Sequence, residues 1–272
     1  MTGFEKWFDS HVHSHYSPDS DRSPGAVCRQ AVADGLAGIC FTDHAEFAPG
    51  DYVPDAAAMR GFQNEIANLQ AKYQGMLEIR WGIEIGYYTG FADSIQAFIS
   101  RYPFDFVLGS IHVVEDRYYS MPNDSMGQDP LKYYTTYFAQ MQEMLDKIEL
   151  DAVGHFDLPK RYGQCETAMT PHSPLWPQIQ AVFSTMLDRN VLPEVNGSGL
   201  RQSPASPYPT QELLREYVRQ GGTTITLGSD GHHQGEVGYG LREAAALSRS
   251  AGLCFQAWYR ERHPVLFPLP EA

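Results

Sequence analysis

The sequence lacks most of the features that would take a chain out of the ordinary globular class. Its four cysteines, Cys28, Cys40, Cys165 and Cys254, form no CxxC pair. Neither a zinc knuckle nor a disulfide framework is encoded, and reduced thiols are the expectation. No apolar run reaches the roughly 18 residues that a membrane-spanning helix needs. Met1 to Trp7 holds no apolar signal core, so a cytoplasmic protein without a membrane partner is expected. Positive charge is scarce as well: Lys and Arg number 20 against 33 Asp and Glu, a formal net charge of -13. With no Lys/Arg run, a basic face for phosphate backbone is missing, and stable nucleic-acid binding is not expected. A small anionic substrate is still compatible with this balance, because divalent cations can reverse the field inside an acidic pocket. Low-complexity blocks and fixed-period repeats are absent too.

What the chain does have is length and rhythm. At 272 residues and 43% hydrophobic content it can bury one large core, and a single domain over 1–272 is expected. Short runs rich in β-branched and aromatic residues recur, each ending in polar, metal-competent residues. Trp7-Phe8 leads into Asp9-Ser10-His11-Val12-His13, and Gly38 to Phe41 ends in Thr42-Asp43-His44. Ile79 to Ile83 runs into Glu84, and Phe104 to Leu108 leads to Ser110-Ile111-His112. Asp151 to Gly154 stops at His155, Val191 to Val195 at Asn196, and Thr223 to Leu227 at Ser229-Asp230-Gly231-His232.

Helical spacing fills the gaps between these runs. Pro24 to Ala33 has proline at its start and Gly35 just past its end. Ala56 to Tyr73 carries Met59, Phe62, Ile66 and Leu69 on one face. Leu131 to Ile148, Pro177 to Arg189, Thr210 to Gln220 and Leu241 to Ser250 read the same way. Alternating strand and helix implies right-handed crossovers and a parallel sheet. About seven such units predict an α/β fold closed as a (β/α)7 barrel, with the site at the C-terminal ends of the strands. An open doubly wound sheet is the alternative, but it gathers its site at one switch point. The segments Glu115 to Pro130 (with Tyr118, Tyr119 and Asn123), Tyr162 to Trp176 and Ser198 to Pro209 are long enough to cover such a site.

The polar residues carry the functional argument. His11 and His13 are two apart, so on a strand both imidazoles reach one face. Asp230 and His232 repeat that spacing. Glu84 lies between Ile83 and Ile85, and a carboxylate inside an apolar strand is costly unless paired or metal-bound. Taken singly these are weak signals. Taken together, six histidines, one glutamate and two aspartates at or just past strand ends point to a metal site. Mixed imidazole and carboxylate donors without cysteine suit catalytic zinc, manganese or iron. Arg201 and Arg161, just past strand ends, are candidates to clamp phosphate, since a guanidinium matches it bidentately. Asp9 is expected to orient a ligand histidine. His15, His172, His233 and His263 are read as outer or surface residues.

The motifs resemble those of the PHP (polymerase and histidinol phosphatase) family, and within it the histidinol-phosphate phosphatases. They are DSHVHSHYSPDS from Asp9, FTDHAEF from Phe41, GIEIGY from Gly82 and GSIHVV from Gly109. VGHFDL from Val153, VNGSGLR from Val195 and GSDGHHQGEVGYG from Gly228 continue the series in order along nearly the whole chain. The resemblance implies a distorted barrel and two to three divalent transition-metal ions. One would be held by His11, His13, Glu84 and Asp230, and Glu84 would bridge to a second with His112 and His155. A third would take Asp19, His44 and His232. Asp19 is a departure, for close histidinol phosphatases often have histidine there. The implied activity is hydrolysis of a small phosphorylated substrate, L-histidinol phosphate, with Asp230 or His232 as proton donor to the leaving group. A PHP phosphoesterase acting on nucleotides or oligonucleotide ends, and a metal-binding PHP domain without catalysis, are the alternatives.

Overall fold

The computed structural model of the chain describes residues 6–114, 117–118, 130–161 and 169–271. Its strands, in chain order, are β1 (Phe8–Val12), β2 (Gly38–Phe41), β3 (His44–Glu46), β4 (Glu78–Gly86), β5 (Phe106–Ser110), β6 (Val113–Val114), β7 (Arg117–Tyr118), β8 (Ala152–Val153), β9 (Leu192–Asn196), β10 (Thr224–Gly228), β11 (Phe255–Arg260) and β12 (His263–Pro268). Seven of them run parallel in the order β1-β2-β4-β5-β8-β9-β10, and each coincides with one of the apolar runs. The sheet then closes on itself. Asp230 N donates to His11 O at 2.8 Å, His13 N donates to Gly231 O at 3.0 Å, and Val12 bridges Gly231 in parallel register. These strands are buried almost throughout, as expected where both faces of a parallel sheet are covered. The expected (β/α)7 barrel is the observed architecture.

The helices are α1 (Pro24–Ala33), α2 (Ala56–Lys72), α3 (Ala92–Ile99), α4 (Pro130–Lys147), α5 (Trp176–Asp188), α6 (Gln211–Arg219) and α7 (Leu241–Ala251). Local signals set their ends. The Ser23 hydroxyl accepts the Ala26 N–H before Pro24 opens α1, and Asp55 Oδ1 accepts the N–H groups of Ala57 and Ala58 at 2.8 Å before α2. The apolar face expected in α2, Met59, Phe62, Ile66 and Leu69, is the face it buries. Besides the short strands β3, β6 and β7, two larger elements were not foreseen. Helix α3 is eight residues long, with no side-chain cap. The other is the antiparallel hairpin β11–β12, which leaves β10 and lies across the amino-terminal mouth of the barrel. There Trp258 stacks on Phe8 with ring centroids 4.6 Å apart, and Tyr259 meets Phe106 at 5.0 Å.

Of the three long connections, 115–116, 119–129 and 162–168 lie outside the described residues, including Tyr119, Asn123 and Cys165. The third folds back on the barrel: Gly197–Arg201 is a short 3-10 turn, and Asn196 and Tyr208 exchange main-chain hydrogen bonds of 2.7 and 3.0 Å. Cys28 and Cys40 are buried free thiols and Cys254 is an exposed one. No helix among the described residues is long and apolar enough to cross a membrane.

Candidate metal centre

Strand pleat and barrel closure bring the polar strand ends to one place. His11 on β1 and His13 just past it point the same way, as residues two apart on a strand must. Their Nε2 atoms stand 3.0 Å apart. Glu84, wholly buried in β4, lies at the middle with its two oxygens facing different sets of imidazoles. Oε2 is 3.2 Å from His11 Nε2, 3.5 Å from His13 Nε2 and 3.1 Å from His44 Nδ1. Oε1 is 3.1 Å from His155 Nε2 and 3.4 Å from His112 Nε2, and accepts the Ser110 hydroxyl at 2.6 Å. Asp230 Oδ1 approaches His13 Nε2 at 3.4 Å and His11 Nε2 at 3.6 Å. On the outer side Asp19 Oδ2 faces His232 Nε2 at 3.2 Å and His44 Nε2 at 3.5 Å. All nine residues singled out from the sequence as ligands therefore meet at the carboxyl ends of the strands.

The backbone is unusual at two of these positions. Asp230 and His155 have positive φ, 55° and 20°. Aspartate tolerates the left-handed region better than most residues, whereas histidine at +20° is the kind of constraint that clusters at functional sites.

The donor set fits divalent metal. Three pairs of imidazole Nε2 atoms face one another: His11 and His13, His112 and His155 at 3.4 Å, and His44 and His232 at 3.4 Å. Lone pairs directed at each other repel unless a proton or cation lies between them. Carboxylates surround each pair, so a cation answers both problems. The electrostatics lean the same way. Burial alone would push the Glu84 carboxyl up, but His11, His44 and His112 outweigh it and hold it well below the usual carboxylate range. Burial, together with the neighbouring His232 and His44, pushes His13 well below the usual imidazole range. A neutral His13 and an ionised Glu84 are the ligand forms a metal needs. At His11, His44, His112 and His232, by contrast, burial is outweighed by neighbouring carboxylates that raise the imidazole, so protons supply the positive charge there when no ion does.

Outer residues hold the imidazoles. Glu194 Oε1 lies 2.7 Å from His11 Nδ1, while its Oε2 accepts His155 N at 2.9 Å and the Asn196 amide at 3.0 Å. Ser17 bridges from His13 Nδ1 at 3.0 Å to Asp43 Oδ1 at 2.8 Å. Glu46 Oε1 lies 2.8 Å from His112 Nδ1. Glu194, Ser17 and Glu46 were not singled out from the sequence, and Asp43 and Asn196 only as polar residues at strand ends. Asp9 differs from expectation: its carboxylate accepts Ser229 N at 2.8 Å, Gly238 N at 2.8 Å and His11 N at 3.3 Å, and so ties backbones together. The His11 ring is oriented by Glu194, which reaches it from β9, two strands away across the closure of the barrel.

The arginines occupy different settings. Arg201 donates to Ser229 O at 3.0 Å and Asp230 O at 2.9 Å, and its Nε lies 3.4 Å from Glu236 Oε1. Arg161 is exposed at the end of a single 3-10 turn, Leu158–Arg161. His15, His172, His233 and His263 are all exposed, in line with a surface reading.

A closed barrel of alternating strands and helices, carrying this cluster at its strand ends, defines a metal-dependent hydrolase. Residues 9–198 match the PHP domain, and the chain belongs to that family. Over 258 residues it is 27% identical to a probable histidinol-phosphatase of Deinococcus radiodurans, covering 93% of this chain and 95% of that one. It is 28% identical over 252 residues to the histidinol-phosphatase of Lactococcus lactis, covering 91% and 92%. The crystal structure of histidinol phosphate phosphatase from Lactococcus lactis, in complex with zinc, L-histidinol and phosphate, superposes with a TM-score of 0.84. That match covers 96% of this chain and all of the other, at 26% identity.

Proposed function

We propose that this chain, acting as one domain over 1–272, hydrolyses L-histidinol phosphate to L-histidinol and phosphate with the help of two to three divalent metal ions. The observation that carries this reading is the division of labour at Glu84. One oxygen faces His11, His13 and His44, and the other faces His112 and His155. A single carboxylate so placed suits two adjacent ions. His11, His13, Glu84 and Asp230 would hold the first, Glu84, His112 and His155 the second, and Asp19, His44 and His232 a third. Bound ions supply Lewis-acid charge for the phosphate oxygens and a water activated near neutral pH.

The chain's own groups do the rest. Asp230 is held by the Asn196 amide at 3.4 Å and, through its main chain, by His11 and Arg201. It or His232 would take a proton from the attacking water and pass it to the leaving alkoxide, so that the proton lost by the nucleophile ends on the leaving group. A guanidinium has five N–H donors, and Arg201 directs three at Ser229 O, Asp230 O and Glu236. The remaining two can serve a phosphate oxygen, and exposed Arg161 can add charge from its side of the site.

The test is phosphate release from L-histidinol phosphate, AMP and an aryl phosphate, with zinc, manganese or chelator. The expected outcome is a kcat/KM for L-histidinol phosphate at least about tenfold above the others, a difference of ~1.4 kcal/mol, and loss of activity with chelator. A preference for AMP would overturn the substrate, and full activity without metal would overturn the mechanism.

A further inference from the structure

Glu46 is buried two residues beyond His44 on β3, so the two side chains share a face of that strand. Its Oε1 hydrogen-bonds His112 Nδ1 at 2.8 Å and lies 3.0 Å from His44 Nδ1. These imidazoles belong to different parts of the centre: His112 turns its other nitrogen to Glu84 and His155, His44 to Asp19 and His232. The two nitrogens of one ring diverge, so the His112 Nδ1 held by Glu46 cannot serve an ion that its Nε2 faces. The His44 Nδ1, which makes no hydrogen bond, lies between Glu46 and Glu84 Oε2, 3.1 Å from the latter. A hydrogen bond from Nδ1–H to a carboxylate fixes the tautomer and leaves the Nε2 lone pair for a cation.

The seat of this carboxylate is made by a glycine. A Cβ at Gly86 would overlap Glu46 Oε2, and all three of its nearest neighbours would be atoms of the Glu46 carboxylate. β3 and β4 pair with Glu46 opposite Gly86, so the register delivers the carboxylate to that gap. Across the barrel the same arrangement recurs: Glu194 orients His11, and a Cβ at Gly228 would overlap Glu194 Oε1.

We propose that Glu46, seated in the space left by Gly86, is a positioning residue that sets the His112 imidazole and steadies His44, and so controls metal retention at two of the three sub-sites. This rests on the metal-centre reading above. The experiment compares the parent with Glu46→Ala, Glu46→Gln and Gly86→Ala. Zinc affinity is measured by competition with a chromophoric chelator, and the visible spectrum is recorded after cobalt substitution. Glu46→Ala is expected to weaken zinc binding by about 10–100-fold at the affected sub-sites, the scale of a lost partner to a ligand histidine. Its cobalt spectrum should change, with kcat falling more than KM rises. Gly86→Ala should do the same with Glu46 still in the chain, because the added methyl displaces the carboxylate. Glu46→Gln should recover part of the affinity, since its amide oxygen still accepts from Nδ1. If Glu46→Ala does not fold, the other two variants decide. Parental zinc affinity and cobalt spectra in the folded variants would overturn the role of Glu46 and leave the metal centre standing. A parent protein that binds no metal would overturn both.

Discussion

Arg201 shows how one side chain can serve both architecture and chemistry. Its guanidinium grips the carbonyls of Ser229 and Asp230 and faces Glu236, whose other oxygen accepts the N–H groups of His232 and His233 at 3.0 Å each. Arginine and glutamate together brace the loop that carries Asp230 and His232. Arg201→Ala is therefore expected to lower phosphatase kcat/KM by about 30-fold, or ~2 kcal/mol, for the lost charge-assisted bonds. It should also make metal easier to remove, because Asp230 loses its support. Arg201→Lys should restore only part, since a point charge cannot span two carbonyls as a planar fork does. Parental kinetics and metal retention in Arg201→Ala would show that the loop holds without it. The inner residues were legible in the sequence because each broke a pattern: Glu84 interrupts an apolar strand, and His11 and His13 alternate with valine. Glu194 carries the same signal between Pro193 and Val195, and Glu46 repeats the two-residue spacing after His44. Both were readable by the argument applied to Glu84. What spacing could not reveal is which ring each carboxylate meets, because Glu194 and His11 are 183 positions apart and only closure of the barrel joins them.

Among the elements, the hairpin β11–β12 is the part the sequence hid. The seven barrel strands are visible because burial on both faces makes them continuous apolar runs. β12 is largely exposed, and its short apolar run Val265-Leu266-Phe267 is bracketed by Pro264 and Pro268, residues that argue against a strand. Its turn is equally disguised. Glu261 and Arg262 have φ of 50° and 65°, values for which hairpin turns usually recruit asparagine and glycine. The conformation is imposed from outside: Asp105 Oδ1 accepts Glu261 N at 2.9 Å and Asp105 O accepts Arg262 N at 2.9 Å, while the Arg262 guanidinium pairs with Asp151. A left-handed non-glycine residue costs roughly 1–2 kcal/mol, and asparagine bears it better. Glu261 is exposed, and its bond to Asp105 uses the main chain, so Glu261→Asn keeps every contact that matters. It is expected to raise Tm by about 1–3 °C with kcat unchanged, because the turn lies at the end of the barrel opposite the metal centre. Differential scanning calorimetry checks this, and a lower Tm would mean that the glutamate side chain contributes more than its backbone strain costs.

On the scale of the whole molecule, the centre acts as a clasp on the barrel. Its candidate ligands come from β1, β3 and β4 and from the segments just past β5, β8 and β10, so an ion held by them links strands around most of the circumference. Without a cation, the same side chains place three pairs of facing imidazole nitrogens and several carboxylates in a buried space. Metal binding should therefore stabilise the fold as a unit. An ion present at a hundred times its dissociation constant adds about 2.7 kcal/mol, provided the unfolded chain binds it weakly. For a chain of this size each kcal/mol moves the midpoint by about 2–4 °C. Stripping the protein with a chelator is thus expected to lower Tm by about 5–10 °C, and zinc or manganese should restore it. Glu84→Gln keeps the shape of the central residue but removes the charge that faces both sets of imidazoles. In that variant the gap between the chelated and metal-replete midpoints should largely close, with turnover lost. Elemental analysis run beside the melts keeps the test decisive. A metal-stripped protein that melts at the parental temperature would mean that the barrel closes through its backbone bonds between β1 and the segment after β10, with no help from the clasp.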